Sequence, residues 1–143
     1  MDRFSKIYVI RFFLENNIQD YYVNSFFNLI LIWNKGVAFG FFQAENFFYN
    51  FISLLILFII MFMLFLIVKT KSMTEMVFYS IIIGGAFGNF FDRIYYNAVP
   101  DFLDFHYKNF HWFTFNVSDI CITLGILFLI TCDLLNSKNL EKK

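Results

Sequence analysis

The chain alternates long apolar runs with short polar breaks, and the longest runs have the length of helices rather than strands. Phe51 to Val68 (FISLLILFIIMFMLFLIV) contains no charged residue; as a helix it roughly matches the ~30 Å hydrocarbon core of a bilayer. Met76 to Phe91 and Phe115 to Leu135 are two further runs, the second broken near its start by Asn116, Ser118 and Asp119. Three membrane-spanning helices are expected. Residues 18–48 differ in texture, being rich in aromatic and β-branched residues with a turn signal at Asn34, Lys35 and Gly36. They predict short strands lying on the membrane surface. Residues 102–113 (FLDFHYKNFHWF) set aromatics between polar groups, which suits an amphipathic segment in the interface.

Phe4 to Leu14 (FSKIYVIRFFL) is short and carries Lys6 and Arg11. It reads as the end of a first span whose upstream half is missing from this sequence. It does not read as a cleavable signal peptide, because no uninterrupted apolar core or small-residue cleavage site follows the basic residues. Lys69 and Lys71 lie between the first two clear spans, and Lys138, Lys142 and Lys143 follow the last. The positive-inside rule makes that side cytoplasmic, so residues 14–50 and 93–114 face outward.

Composition strengthens the membrane reading. At 59% hydrophobic and 24% aromatic residues with a single proline, the chain is too apolar for an ordinary soluble domain. Residues 1–143 read as one integral membrane domain. The formal net charge is zero, so nothing points to nucleic acid. Cys121 and Cys132, in one apolar run, would stand roughly 16 Å apart along a helix. That is too far for a disulfide, and they are expected to be buried structural thiols.

Two similar pieces carry candidate chemistry: GNFFD at 88–92 and FNVSD at 115–119. In each, Asn precedes Asp by three positions, so on a helix the amide and carboxylate share a face. Helix capping accounts for one such pair. Two pairs, with Arg93, Asp101 and Asp104 expected at the same depth, point to a site, since polar groups at membrane depth are costly and usually face a bundle interior or a wet cavity. No Ser/His/Asp or Cys/His arrangement accompanies them. His106 and His111 are five apart, the wrong spacing for one helical face, and no zinc motif surrounds them, so no metal site is expected. Carboxylate chemistry remains. Two close aspartates share one proton; one acts as base toward a water while the other donates to the substrate carbonyl, as in peptide hydrolysis of the aspartic type. Spacing alone does not choose among Asp92, Asp101 and Asp104. Gly84 and Gly88, with Gly85 and Ala86 alongside, predict a small-residue surface that would bring the Asn89 and Asp92 face against the helix bearing Asn116 and Asp119. A small ion transporter and a lipoprotein-binding scaffold are the competing classes.

Five stretches in order, DRFSK at 2–6, NKGVAF at 34–39, GGAFGNFFDR at 84–93, PDFLDFH at 100–106 and FNVSD at 115–119, give the chain a resemblance to the lipoprotein signal peptidases, the signal peptidase II family of bacterial membranes. The resemblance implies a four-helix transmembrane bundle (first span truncated here) with a small extracytoplasmic β-sheet and an interfacial amphipathic helix. It implies removal of the signal peptide from diacylglyceryl-modified prolipoproteins, just before the lipidated cysteine, at the outer, periplasmic face of the cytoplasmic (inner) membrane. By match to the family's motifs, Asp101 and Asp119 are catalytic. Asn34, Asn89, Arg93 and Asn116 match positions lining the substrate site, and Asp92, Gly36 and Phe39 match supporting ones. The implied partners are prolipoproteins and membrane lipids, with no cofactor, no metal and a monomeric chain. Ser118 stands where the family commonly has Ala, adding a hydroxyl beside Asp119 within reach of a hydrogen bond.

Overall fold

The computed structural model describes residues 1–35, 46–108 and 110–140, with backbone alone for 46–48 and 136–140. Four helices and four strands follow one another as α1 (Asp2–Asn16), β1 (Asp20–Asn24), β2 (Phe27–Asn34), α2 (Asn46–Lys69), α3 (Met73–Tyr96), β3 (Val99–Tyr107), β4 (Phe110–Phe115) and α4 (Val117–Leu140). Gly36 and Phe39 lie outside the described residues.

Within α2, α3 and α4, the stretches Tyr49–Lys69, Met73–Tyr96 and Val117–Leu135 are long and apolar enough to cross a membrane. They match the three expected spans. One side of α2 is bare among the described residues: Leu54, Phe58, Met61, Phe62, Phe65 and Val68 are all exposed, as side chains dissolved in lipid would be. The ends are built from local signals. Ser72 caps α3, its hydroxyl accepting from the Glu75 N–H at 3.3 Å. Asn97, in the left-handed region at φ 53°, closes the same helix with its N–H on the Arg93 carbonyl, a conformation asparagine tolerates better than most residues.

The sheet is an antiparallel meander in the order β1-β2-β3-β4. Chain connection places it at the end where α3 finishes and α4 begins, away from the α2–α3 turn that carries Lys69 and Lys71. The strands expected within 18–48 are therefore present as β1 and β2. The 102–113 stretch is not helical: it forms most of β3 and β4. Over 102–107 its burial alternates with period two, Phe102 and Asp104 inward and Phe105 and Tyr107 outward, which is the pattern of a strand.

A core of Val9, Phe13 and Phe102, with Phe12, Leu29, Leu31, Leu103 and Val117 against it, joins α1 to the sheet and to the start of α4. As a helix of 15 residues, α1 is about 22 Å long, shorter than a bilayer core. Its Arg3 and Lys6 do not act as loop charges in the positive-inside sense, because both are paired with Asp92 of α3. Gly85 and Gly88 form the surface where α3 meets α4, with Gly125 opposite: a methyl added at Gly85 would lie 2.6 Å from the Ser118 carbonyl. Gly84, expected to share that surface, faces open space. Cys121 and Cys132 are free thiols, half-buried rather than buried.

Candidate active site

Register explains how Asp101 meets the start of α4. In β3, Asp101 pairs with Ile32 of β2 but lies beyond the β4 ladder, whose last pair is Leu103 with Phe115. The chain leaving β4 therefore runs alongside Asp101 as Asn116. Pro100, which pairs with Trp33 of β2 and has no N–H to give, lies in the same stretch of β3 beyond the β4 ladder. Asn34 ends β2 opposite Val99, diagonal to Asp101.

The Asp101 carboxylate is almost wholly buried and accepts two amide hydrogen bonds. Asn116 Nδ2 donates to Oδ1 at 2.6 Å and Asn34 Nδ2 to Oδ2 at 2.9 Å. Burial pushes the Asp101 carboxyl up to about 6 from its ordinary 3.8; the two amides and Lys6 oppose the rise and the charge of Asp119 adds to it. Loss of water is thus the dominant effect, and the neighbouring anion reinforces it.

Asp119 stands in the first turn of α4. Its Oδ2 accepts the Asn116 backbone N–H at 3.0 Å, while the Asp119 N–H donates back to Asn116 Oδ1 at 3.2 Å. This is a reciprocal capping box with Asn and Asp in place of the usual Ser and Glu. Capping and site chemistry therefore coincide in FNVSD. Asn89 Nδ2 donates to the other oxygen of Asp119 at 2.7 Å, and Asn89 Oδ1 accepts from Lys6 Nζ at 2.8 Å. A continuous set of hydrogen bonds runs Lys6, Asn89, Asp119, Asn116, Asp101, Asn34.

Asp92 lies behind that line. It is fully buried, with Arg3 Nη1 on Oδ1 and Lys6 Nζ 2.6 Å from Oδ2. Lys6 also lies 3.0 Å from Asp2 Oδ2, so its ammonium sits between two carboxylates and the Asn89 side-chain carbonyl oxygen. A buried ammonium needs such company. The other Asp2 oxygen accepts the Ser118 N–H at 2.9 Å, fastening α1 to α4. Asp92 therefore joins helices rather than facing Asp101 and Asp119 directly.

Arg93 is partly buried, with Nη1 donating to the Asn89 carbonyl at 3.3 Å and Nε without a hydrogen-bond partner among the described residues. Its guanidinium is within electrostatic reach of Asp101, Asp119 and Asp92. The Ser118 hydroxyl makes no bond to Asp119; it is buried beside Gly88 and unpartnered among the described residues.

Every described site residue expected from the sequence converges here, and three unexpected ones join them. Lys6, Arg3 and Asp2 belong to DRFSK. The available signal was the Asp2–Lys6 spacing of four, which places acid and base on one helical face.

The family model for signal peptidase (SPase) II matches residues 1–135. A lipoprotein signal peptidase of Pelagibacter ubique (strain HTCC1062) is 46% identical over 144 residues, spanning 99% of this chain and 86% of its own. One of Anaplasma phagocytophilum (strain HZ) is 36% identical over 134 residues, spanning 94% of this chain and 85% of its own. Among solved structures, a bacterial membrane enzyme determined by the in meso method superposes with a TM-score of 0.73 at 24% identity, covering 96% of this chain and 87% of its own. That likeness is one of fold. With the matched family model and these relatives, the chain belongs to the signal peptidase II family of lipoprotein signal peptidases and is a protease of the membrane.

Proposed function

We propose that the protein is an aspartic endopeptidase that cuts diacylglyceryl-modified prolipoproteins just before the lipidated cysteine. The observation that carries this reading is Asn116, which bonds the Asp101 and Asp119 carboxylates at once. In this reading one carboxyl carries the proton and acts as acid while the other acts as base.

Asp101 is the better holder of the proton, because it is the carboxyl that burial pushes up. Asp119 accepts two N–H bonds at a helix N-terminus, a place that favours negative charge. In the reaction, Asp119 takes a proton from water as the oxygen attacks the scissile carbonyl carbon, and Asp101 gives its proton to the carbonyl oxygen. Collapse of the tetrahedral species breaks the C–N bond, with the proton on Asp119 passing to the leaving nitrogen and the hydroxyl proton returning to Asp101. The Arg93 guanidinium, within electrostatic reach of both carboxylates, supplies positive charge beside the substrate, and Asn34 and Asn89 keep the two carboxylates oriented.

The site lies at the outer face of the cytoplasmic (inner) membrane, opposite the end bearing Lys69 and Lys71. The two acyl chains stay in the bilayer beside the helices, while the peptide enters beneath the segments 18–48 and 102–113. A monomeric chain suffices, with no cofactor, because both acid and base are its own side chains. The test is incubation of purified protein with one prolipoprotein in lipidated and unlipidated forms. Cleavage of the lipidated form alone, leaving cysteine at the new N-terminus, is expected; equal cleavage of both forms would overturn the substrate assignment.

A further inference from the structure

A second group of ionisable side chains gathers at the far end of the β3–β4 hairpin. His106 and His111 are cross-strand partners, and their rings stack with centroids 5.1 Å apart. Five residues is a poor spacing on a helix, but β3 ends at Tyr107 and β4 resumes at Phe110, so the turn folds the two histidines opposite each other. Both present Nδ1 to Asp104. The His111 nitrogen is 3.0 and 2.9 Å from the two carboxylate oxygens, and the His106 nitrogen is 3.3 Å from Oδ2.

Two features of this cluster call for a ligand. Asp104 is fully buried, and a buried carboxylate needs compensating charge. The His106 side chain is only 8% exposed, and its Nδ1 makes no hydrogen bond among the described residues although it is aimed at the same oxygen. All three candidate ligand atoms lie within 4.8 Å of one another. For a tetrahedral zinc ion with bonds of roughly 2.0–2.1 Å, neighbouring ligand atoms stand about 3.3 Å apart. The two nitrogen–oxygen separations already have nearly that length.

We propose that Asp104, His106 and His111 bind a divalent transition-metal ion of the zinc class through Nδ1 of each histidine and a carboxylate oxygen. A fourth position is left for water. The His111 side chain is 55% exposed and gives the ion its entry. Two imidazoles and one carboxylate select zinc over magnesium, which prefers oxygen ligands. The ion clamps β3 to β4. Asp101 lies on the same strand about 10 Å away, so the ion acts by fixing the hairpin that presents this aspartate and not by contacting the reacting carbonyl.

The experiment uses the full chain without a histidine tag, purified in detergent, stripped with a chelator and dialysed against Zn2+ or Mg2+. Bound metal is measured by mass spectrometry and calorimetry, and the melting temperature is followed with each ion. One zinc per chain, a melting temperature raised by zinc and not by magnesium, and affinity reduced more than about tenfold in both His106→Gln and His111→Gln are expected, since even outer-shell losses at zinc sites cost that much. Failure of the wild-type chain to bind zinc would overturn the proposal whatever the variants do. Unchanged zinc affinity in a folded His111→Gln variant would overturn it equally.

Discussion

Asn116 and Asp119 bond each other twice, backbone N–H to side-chain oxygen in both directions, at 3.0 and 3.2 Å. The side-chain amide of Asn116 donates the other way, to Asp101. One residue thus starts a membrane helix and spaces two carboxylates. Replacing Asn116 with Ala is expected to lower stability by about 1–2 kcal/mol through the lost cap, and to reduce kcat by a larger factor than that loss explains. Asn116→Ser, which keeps a capping oxygen but cannot reach Asp101 in the same way, should recover stability without recovering turnover. Comparing melting and cleavage of the two variants checks this.

Asp101 imposes a pH dependence whose sign follows from its surroundings. Its carboxyl is pushed up to about 6, chiefly by burial, while the Asn34 and Asn116 amides hold it lower than burial alone would. If the reaction needs the proton on Asp101, kcat/KM falls as pH rises above about 6. Asn34→Ala removes a donor that stabilises the anion, so the descending limb should move to higher pH. A limb that stays in place or moves down would contradict this role. The same shift affects folding: a carboxyl raised above 3.8 contributes full stability below that pH and loses it as pH climbs through about 6.

Lys6 and Asp92 are both fully buried and 2.6 Å apart. Removing the ammonium leaves Asp92 with Arg3 alone, and breaking a buried pair on one side costs on the order of 3–5 kcal/mol. Lys6→Met should therefore lower the melting temperature sharply, and the double change Lys6→Met with Asp92→Asn should be less damaging than Lys6→Met alone. A double variant no better than the single would place the role of Lys6 elsewhere.

The glycines of α3 provide a paired test. A Cβ at Gly85 would lie 2.6 Å from the Ser118 carbonyl oxygen and 2.8 Å from Ile122, whereas one at Gly84 meets nothing within 4 Å. Gly85→Ala should cost about 1–3 kcal/mol by forcing α3 from α4, and it should reduce cleavage because Ser118 directly precedes Asp119. Gly84→Ala should be neutral or mildly stabilising, as alanine is the better helix former.

These contrasts show what was legible in the residues. Charge-free runs such as Phe51–Val68 announce spans because nothing else in the chain competes with lipid as their solvent. The face of a helix is harder to read: Gly84 and Gly88 satisfy a four-residue spacing, yet it is Gly85, with Gly88, that meets α4 while Gly84 does not, because the crossing depends on a partner the local sequence does not contain. Lys6 and Arg3 look like misplaced loop charges until Asp92, more than eighty positions away, is brought beside them. The alternation of 102–107 is strand-like in the fold, but its density of aromatics hides the period. The Asn and Asp pairs were visible from spacing. Preference for Asp101 over Asp92 came from family resemblance; in the fold Asp92 is paired with two cations, whereas Asp101, among the described residues, is hydrogen-bonded by neutral amides.

The most direct measurement is single-turnover cleavage of a lipidated prolipoprotein by Asp101→Asn and Asp119→Asn, with substrate binding followed in parallel by crosslinking. Each substitution keeps the shape and removes the acid or base, so each should slow cleavage by about 10²- to 10⁴-fold while substrate is still bound. Cleavage near the wild-type rate by either variant would show that the two carboxylates do not activate the water.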